Sequence, residues 1–124
     1  MDQSGFNKVE VLVLVVIVIT LIMVFINFTF DIQEIARDAK RHGDIDEIAK
    51  ELEVHFNNQP NQFCPDSEID TYCAPQASWF DKNLIPTDPL TQQAYLNLPT
   101  DGSKNFYICA KLENGDQYCV GGQQ

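Results

Sequence analysis

The stretch that decides the fold is residues 11–30, VLVLVVIVITLIMVFINFTF, 20 residues without a charged side chain. Only Thr20, Asn27 and Thr29 within it are not apolar. At a rise of about 1.5 Å per residue, such a helix spans about 30 Å, the thickness of the hydrocarbon core of a bilayer. Lipid offers the backbone no hydrogen-bond partner, so a helix is favoured there despite the many β-branched residues. This apolar stretch therefore predicts a transmembrane helix.

A cleaved secretory signal peptide is the alternative interpretation of the apolar stretch. It would need a basic segment before a shorter apolar run, with small residues around a cleavage site after it. The residues that follow are Asp31, Ile32, Gln33 and Glu34, which offer no such site. We therefore expect the apolar stretch to remain in the mature protein.

The rest of the chain is short and acidic. The protein has 124 residues and a mass of 14.1 kDa, and the 94 residues from Asp31 onward hold 7 basic and 16 acidic side chains. A dinucleotide-binding fold or a barrel enzyme does not fit in that length. The net charge of −9 in this part argues against nucleic-acid binding, which depends on Lys and Arg neutralising phosphates. These features predict a small membrane-anchored domain that is not an enzyme.

After Asp31 the apolar residues recur three or four positions apart, which predicts that the helix continues with one buried stripe. The stripe consists of Ile32, Ile35, Ala36, Ala39, Ile45, Ile48, Ala49, Leu52 and Phe56. We expect the helix to end near residues 56–58, because Asn57 and Asn58 precede Pro60, the first proline of the chain.

Gly43 and two histidines depart from the pattern of this helix. A glycine costs up to about 1 kcal/mol relative to alanine inside a helix, so a bend would fall at Gly43. His42 and His55 are 13 positions apart, which places them on nearly opposing sides of the helix. We expect surface or core-edge positions for both histidines, with neither a metal site nor a catalytic role.

The C-terminal part predicts loops followed by a small sheet. Residues 57–93 are rich in Asn, Pro, Gln, Asp and Ser, a composition typical of loops and turns. Three short strand candidates follow at residues 94–98, 105–112 and 117–120. The last two flank Asn114-Gly115, a dipeptide typical of hairpin turns. An antiparallel sheet that covers the apolar stripe of the helix makes the domain α+β.

Four cysteines follow the apolar stretch, an even count that predicts two disulfides in an extracytoplasmic domain. They are Cys64, Cys73, Cys109 and Cys119. Three connectivities are possible, and we favour Cys64–Cys73 with Cys109–Cys119. A two-residue hairpin loop would send the thiols of the second pair to opposite faces of the sheet. A three-residue loop centred on Asn114, or a bulge with the same effect, places Cys109 directly opposite Cys119, and we predict this register.

Two kinds of metal site are alternatives. For zinc, the cysteines form no Cys-x₂-Cys pair, their spacings are long, and no nearby histidine completes a ligand set. For calcium, the oxygen atoms of residues 101–103 and 114–116 are candidate ligands. Both are ordinary turn sequences without the alternating ligands of a calcium loop. We expect no metal and no cofactor.

Two features disagree about the side of the membrane on which the domain lies. Lys8 is the only base just before the apolar stretch, whereas Arg37, Lys40 and Arg41 follow it, and the positive-inside rule would then keep the domain in the cytoplasm. The cysteines favour the oxidising, extracytoplasmic side. We give the cysteines more weight because acidic residues lie among the three bases.

Ahead of the apolar stretch the chain reads Gly5-Phe6-Asn7-Lys8-Val9-Glu10. A carboxylate on a lipid-spanning helix is costly unless it sits at the headgroups or meets an opposite charge. Gly-Phe followed four residues later by Glu, directly before an apolar helix, resembles the class III signal sequence of type IV pilins and type II secretion pseudopilins. The resemblance implies cleavage by a prepilin peptidase between Gly5 and Phe6, and N-methylation of Phe6. It also implies that Glu10 pairs with the freed amino group of a neighbouring subunit.

Later segments resemble the same family. The amphipathic part of the helix, residues 36–53, is similar to the pilin helix. Pro86-Thr87-Asp88-Pro89 and Leu112-Glu113-Asn114 resemble the C-terminal domain of pseudopilins and related bacterial pilins. With the N-terminal site, the resemblance covers most of the chain except roughly residues 57–80.

The resemblance implies a pilin fold in four parts. These are a leader peptide (residues 1–5), a transmembrane and polymerisation helix (6–30), its amphipathic continuation (31–57), and a disulfide-bonded head of loops and sheet (58–124). Such a subunit is anchored once in the cytoplasmic membrane and self-associates into a helical filament at the cell surface or in the periplasm. Its partners are a prepilin peptidase and the assembly platform of a pilus or a secretion machine, with no nucleic acid. The alternative is a single-pass, extracytoplasmic binding domain that does not polymerise.

Overall fold

The computed structural model describes residues 7–58 and 63–122. Its elements are one α-helix, α1 (Lys8–Val54), a 3₁₀ turn (Ala77–Trp79), and two strands, β1 (Tyr107–Lys111) and β2 (Gln117–Gly121). The strands pair as an antiparallel sheet. One long N-terminal helix followed by a small antiparallel sheet confirms the predicted α+β class.

The helix α1 is continuous over 47 residues and passes through Gly43 without interruption. Its expected first residue, Phe6, lies outside the described residues. The helix ends slightly before the predicted region, because Asn57 already pairs with Thr71 in an antiparallel bridge. That pairing requires an extended backbone and takes the chain out of the helix.

The chain divides into two compact units, Met1–Ile35 and Ala36–Gln124. In the first unit the described residues are helical from Lys8 onward. The second, which we call the head unit, contains the rest of α1, the loops, β1 and β2. The amphipathic part of the helix from Ala36 onward thus belongs to the same compact unit as the sheet.

The core of the head unit lies between α1 and the sheet. Ile45 and Ile48 are fully buried, Leu52 is 1% exposed, and they cluster with Tyr72 and Ile108. Burying one large apolar side chain contributes about 1.5–3 kcal/mol to the free energy of unfolding, so this cluster is the main source of stability of the head unit. The predicted stripe is therefore confirmed for its second half, Ile45, Ile48, Ala49, Leu52 and Phe56.

The first half of the predicted stripe is not buried. Ile32 is 48% exposed and Ile35 is 68% exposed, and Ala36 and Ala39 are exposed as well. Among the described residues, the buried apolar cluster of the head unit includes α1 side chains from Ile45 onward. The first half of the stripe is thus an apolar surface left open, which the periodicity of the sequence could not distinguish from a core face.

The hairpin has the predicted register. Cys109 pairs with Cys119, and the ladder extends from Tyr107 opposite Gly121 to Lys111 opposite Gln117. The loop is centred on Asn114, and the glycine after it has φ +90°, a left-handed conformation that favours glycine. The three-residue loop prediction is confirmed.

The first of the three strand candidates, residues 94–98, is wrong as a strand. Leu96 makes a single antiparallel bridge to Cys109, with N–O distances of 3.0 and 3.1 Å in the two directions. Asn97 then adopts φ +59°, outside the extended region, and Pro99 has no backbone N–H to continue the ladder. The sheet therefore stops at two strands with one bridge on the outer edge of β1.

Candidate functional site

In the apolar stretch of α1, apolar side chains are exposed on every face of the helix. Its large apolar side chains from Val11 to Ile26 are 46% to 68% exposed. A helix of this length and composition is able to cross a membrane. Such a surface is unfavourable in water by roughly 25 cal/mol for each Å² of apolar area, so it requires lipid or other apolar helices as its surroundings.

The three polar side chains of the apolar stretch bond to the backbone of their own helix. The donor–acceptor pairs are Thr20 Oγ1 to Ile17 O (2.8 Å), Asn27 Nδ2 to Met23 O (2.7 Å), and Thr29 Oγ1 to Ile26 O (2.8 Å). Each bond supplies a partner within the helix, which a polar group needs in a hydrocarbon environment. These residues therefore add little to the cost of placing the stretch in lipid.

Glu10 lies in the first turn of α1, immediately before the apolar stretch. Its backbone N–H donates to Asn7 O at 2.9 Å, and its side chain is exposed. The positive end of the helix dipole favours a carboxylate at this position. Gly5 and Phe6, the predicted cleavage and methylation residues, lie outside the described residues.

The head unit buries one guanidinium, that of Arg41, which is 3% exposed. Its Nε donates to Asp88 Oδ2 at 2.6 Å, and its Nη1 donates to Asp38 Oδ1 at 2.7 Å and to Glu113 Oε1 at 3.0 Å. The hydrogen bond with Asp88 raises the pKa of Arg41 further and holds the pKa of the Asp88 carboxyl far below its usual range. Three carboxylates thus compensate the burial of this charge.

Glu113, at the hairpin tip, fastens the sheet to α1 beside Arg41. Arg37 Nε donates to Glu113 Oε1 at 2.7 Å, and the backbone N–H of Glu113 donates to Asp38 Oδ1 at 3.1 Å. The hydrogen bonds from Arg37 and then Arg41 lower the pKa of the Glu113 carboxyl. We call these five residues, Arg37, Asp38, Arg41, Asp88 and Glu113, the Arg41 cluster.

Sequence reasoning missed the Arg41 cluster. In the sequence, Arg37 and Arg41 enter only the argument about the side of the membrane on which the domain lies. Arg41 contacts Asp88, which is 47 positions away in the sequence, and Glu113, which is 72 positions away. A local sequence pattern does not predict contacts over such separations. The segments that hold Asp88 and Glu113 were singled out only because they resemble the pseudopilin domain.

A buried acid, Asp44, lies about one turn beyond Arg41 in α1 and is 7% exposed. Its carboxylate accepts hydrogen bonds from Tyr95 Oη at 2.7 Å and from Lys40 Nζ at 2.9 Å. Burial, followed by the hydrogen bond to Asp44, raises the pKa of Tyr95 well above its ordinary value. The hydrogen bond from Tyr95 therefore joins the segment after Asp88 to α1.

Both predicted disulfides are present. Cys64 bonds to Cys73 and Cys109 bonds to Cys119, with Cα–Cα distances of 5.8 and 4.1 Å. The first bond closes the loop that follows α1, and the second joins the two strands of the hairpin. The favoured connectivity among the three possible ones is thus confirmed.

The two histidines occupy half-buried positions at the edge of the core, as expected. His42 contacts Tyr118 edge-on with ring centroids 4.2 Å apart. His55 stacks on Trp79 at 4.1 Å with the ring planes 3° apart. Both rings therefore pack against aromatic side chains of the head unit.

Comparison with protein families, with curated proteins and with solved structures finds no match to this chain.

Proposed function

We propose that this chain is the precursor of a pilin-like filament subunit. Residues 6–30 would hold it in the cytoplasmic membrane, and the same helix would polymerise it. The observation that carries the proposal is the exposed hydrocarbon surface of α1 that begins directly after Glu10. That surface needs lipid before assembly, and it can exchange lipid for the helices of other subunits. The two disulfides of the head unit favour an extracytoplasmic location.

In this proposal Glu10 acts by electrostatics and without catalysis. Cleavage after Gly5 would create a charged amino group on Phe6. The Glu10 carboxylate of one subunit would pair with that amino group of a neighbour, which offsets the cost of moving a charge into an apolar bundle. Contacts that repeat head to tail without closing produce an open filament of the pilus or secretion type.

The first test is the N-terminus of the protein purified from its host. Intact-mass and peptide analysis should find a mature chain that starts at N-methylated Phe6. A chain that retains Met1 in the host membrane would contradict the proposal.

The second test replaces Glu10 by Gln. We expect E10Q to be made and inserted in the membrane but to be lost from filaments, measured in the sheared-fibre fraction against the membrane fraction. The matched control is E34Q, which removes another exposed acid of α1 that lies beyond the apolar stretch. Incorporation of E10Q into filaments at the level of E34Q would refute the assembly role of Glu10. Wild-type protein found only in the membrane fraction and never in sheared fibres would support the alternative of an anchored binding domain.

A further inference from the structure

The fold brings a third metal-type ligand to one of the disulfides. The Sγ atoms of Cys64 and Cys73 and a carboxylate oxygen of Asp101 all lie within 4.8 Å of one another. Cys73 is fully buried and Cys64 is 6% exposed, whereas Asp101 is exposed. Among residues 7–58 and 63–122 this is the one group of three such ligands, and the Cys109–Cys119 pair lacks a third member.

Backbone hydrogen bonds hold Asp101 next to Cys73 independently of the disulfide. Tyr72 N donates to Ser103 O at 2.7 Å, and Gly102 N donates to Tyr72 O at 3.1 Å. Ala74 N donates to Asp101 Oδ1 at 2.7 Å, which orients the carboxylate. Ligands held by supporting hydrogen bonds are pre-organised for a metal.

Cys64 is also positioned by bonds other than its disulfide. Its carbonyl oxygen accepts from Ser67 N at 3.0 Å, and Asn57 Nδ2 approaches the same oxygen at 3.5 Å. Asn57 Nδ2 donates in addition to Glu68 O at 2.9 Å, and Asn57 pairs with Thr71 through the backbone. The loop that carries Cys64 is thus held by Asn57 in addition to the covalent bond.

We propose that, before the disulfide forms, Cys64, Cys73 and Asp101 constitute a site for a thiophilic divalent cation such as Zn²⁺. Two thiolates and one carboxylate are ordinary zinc ligands, and the exposure of Asp101 leaves room for water as the fourth ligand of a tetrahedral ion. The cation replaces the two thiol protons, which pass to solvent, and no redox step is involved. Disulfide exchange with an external disulfide oxidant then forms the Cys64–Cys73 bond: the oxidant takes two electrons from the thiolates and two protons from solvent, leaves as a dithiol, and the ion is released.

The proposed site differs from the zinc site that the sequence argued against. No His or Cys-x₂-Cys completes the set, but the turn at residues 101–103, considered only for calcium, supplies the missing oxygen ligand from 28 positions beyond Cys73. The inference does not depend on filament assembly, since it concerns only the unoxidised head unit.

The test uses the full chain in detergent with the hairpin cysteines replaced, C109S/C119S, reduced with a phosphine and titrated anaerobically with Co²⁺. We expect one equivalent of Co²⁺ to give thiolate charge-transfer and tetrahedral visible absorption bands, which Zn²⁺ then abolishes. The matched control, C64S/C73S, retains the hairpin pair and should give neither. Adding D101N to the first variant should weaken Co²⁺ binding at least about tenfold, because even outer partners of metal ligands contribute that much. Adding D101H, which restores a ligand, should recover binding.

A second measurement covers the possibility that these variants do not fold. The reduced wild-type chain is reoxidised with and without Zn²⁺, and the disulfides are mapped over time. We expect Zn²⁺ to slow formation of Cys64–Cys73 and to leave Cys109–Cys119 unchanged. Equal Co²⁺ binding by the two double variants, unchanged affinity in D101N, equal slowing of both disulfides, or a reduced head that stays unfolded with Zn²⁺ would each overturn the proposal.

Discussion

Arg41 Nε donates a 2.6 Å hydrogen bond to Asp88 Oδ2, and this contact joins α1 to a loop 47 positions later. The guanidinium is almost fully buried, so its charge has little access to water. The head unit therefore depends on carboxylates that arrive from two distant segments.

Replacing Arg41 by Met should lower the free energy of unfolding of the head unit by about 2–3 kcal/mol, because the change removes charge-assisted hydrogen bonds between a buried guanidinium and half-buried carboxylates. Trp79, the only tryptophan, reports on the head unit by fluorescence during urea unfolding. The control is K50M, because Lys50 is an exposed base of the same helix and an exposed substitution usually changes stability by at most about 0.5 kcal/mol. Equal losses in R41M and K50M would show that the contacts of Arg41 stabilise the head unit no more than an exposed base does.

The stability of the head unit should fall in acid because of Asp88 and Glu113. Arg41 lowers the pKa of Asp88 in the folded state, and Arg37 and Arg41 lower that of Glu113. A depressed folded-state pKa adds stability above the unfolded value of about 4, and this stability is lost as the pH falls through the folded value. Urea midpoints measured from about pH 7 to about pH 2 should therefore decline below about pH 4.

The variant D88N isolates the share of Asp88 in that decline. Its amide oxygen can still accept from Leu90 N and Thr91 N, as the carboxylate does at 2.9 and 2.8 Å. We expect lower stability than wild type at neutral pH and a shallower acid slope. The control is D81N, because Asp81 is exposed. An acid slope in D88N as steep as in D81N would refute the assignment.

Two glycines should respond to alanine in opposite directions. At Gly122 a Cβ would lie 2.7 Å from Tyr72 Oη and 2.8 Å from a ring carbon of Phe106, so G122A should destabilise the head unit by about 1–3 kcal/mol. At Gly43, inside α1, a Cβ meets nothing within 4 Å, so G43A should stabilise by up to about 1 kcal/mol. Thermal unfolding of the two variants measures both effects, and a gain in G122A would contradict the close packing.

Tyr72 should ionise late in an alkaline titration. Burial, and then its hydrogen bond to Glu53, raises its pKa to about 12. For an acid whose folded-state pKa is raised, stability is present below the unfolded value of about 10 and is lost as the pH rises through the folded value. The difference in phenolate absorbance between wild type and Y72F should appear near pH 12. A difference that appears near pH 10 would mean that Tyr72 is accessible to solvent.

Local patterns in the sequence predicted much of the fold. The apolar stretch and the periodicity after it predicted α1, and Asn114-Gly115 with the cysteine spacing predicted the hairpin register and both disulfides. Each of these patterns is local in the sequence. Over such short separations the geometry of a helix or a hairpin determines which side chains share a face.

What the sequence did not predict depends on contacts between distant segments. Nothing near Arg41 distinguishes it from Lys40, although one is buried and the other is mostly exposed. Ile35 belongs to the same periodic stripe as Ile45, yet Ile45 is fully buried in the core of the head unit and Ile35 is 68% exposed. Asp101 acquires its place beside the first disulfide from hydrogen bonds to a strand-like segment that begins 29 positions earlier, at Tyr72.

The inward bonding of Thr20, Asn27 and Thr29 leaves the apolar stretch without a directional group on its surface. The dispersion contacts of its apolar side chains are individually weak and lack the directionality of a hydrogen bond. In the proposed filament, a directional polar contact between neighbouring helices therefore has to come from outside the apolar stretch, and Glu10 is the acidic residue immediately before it.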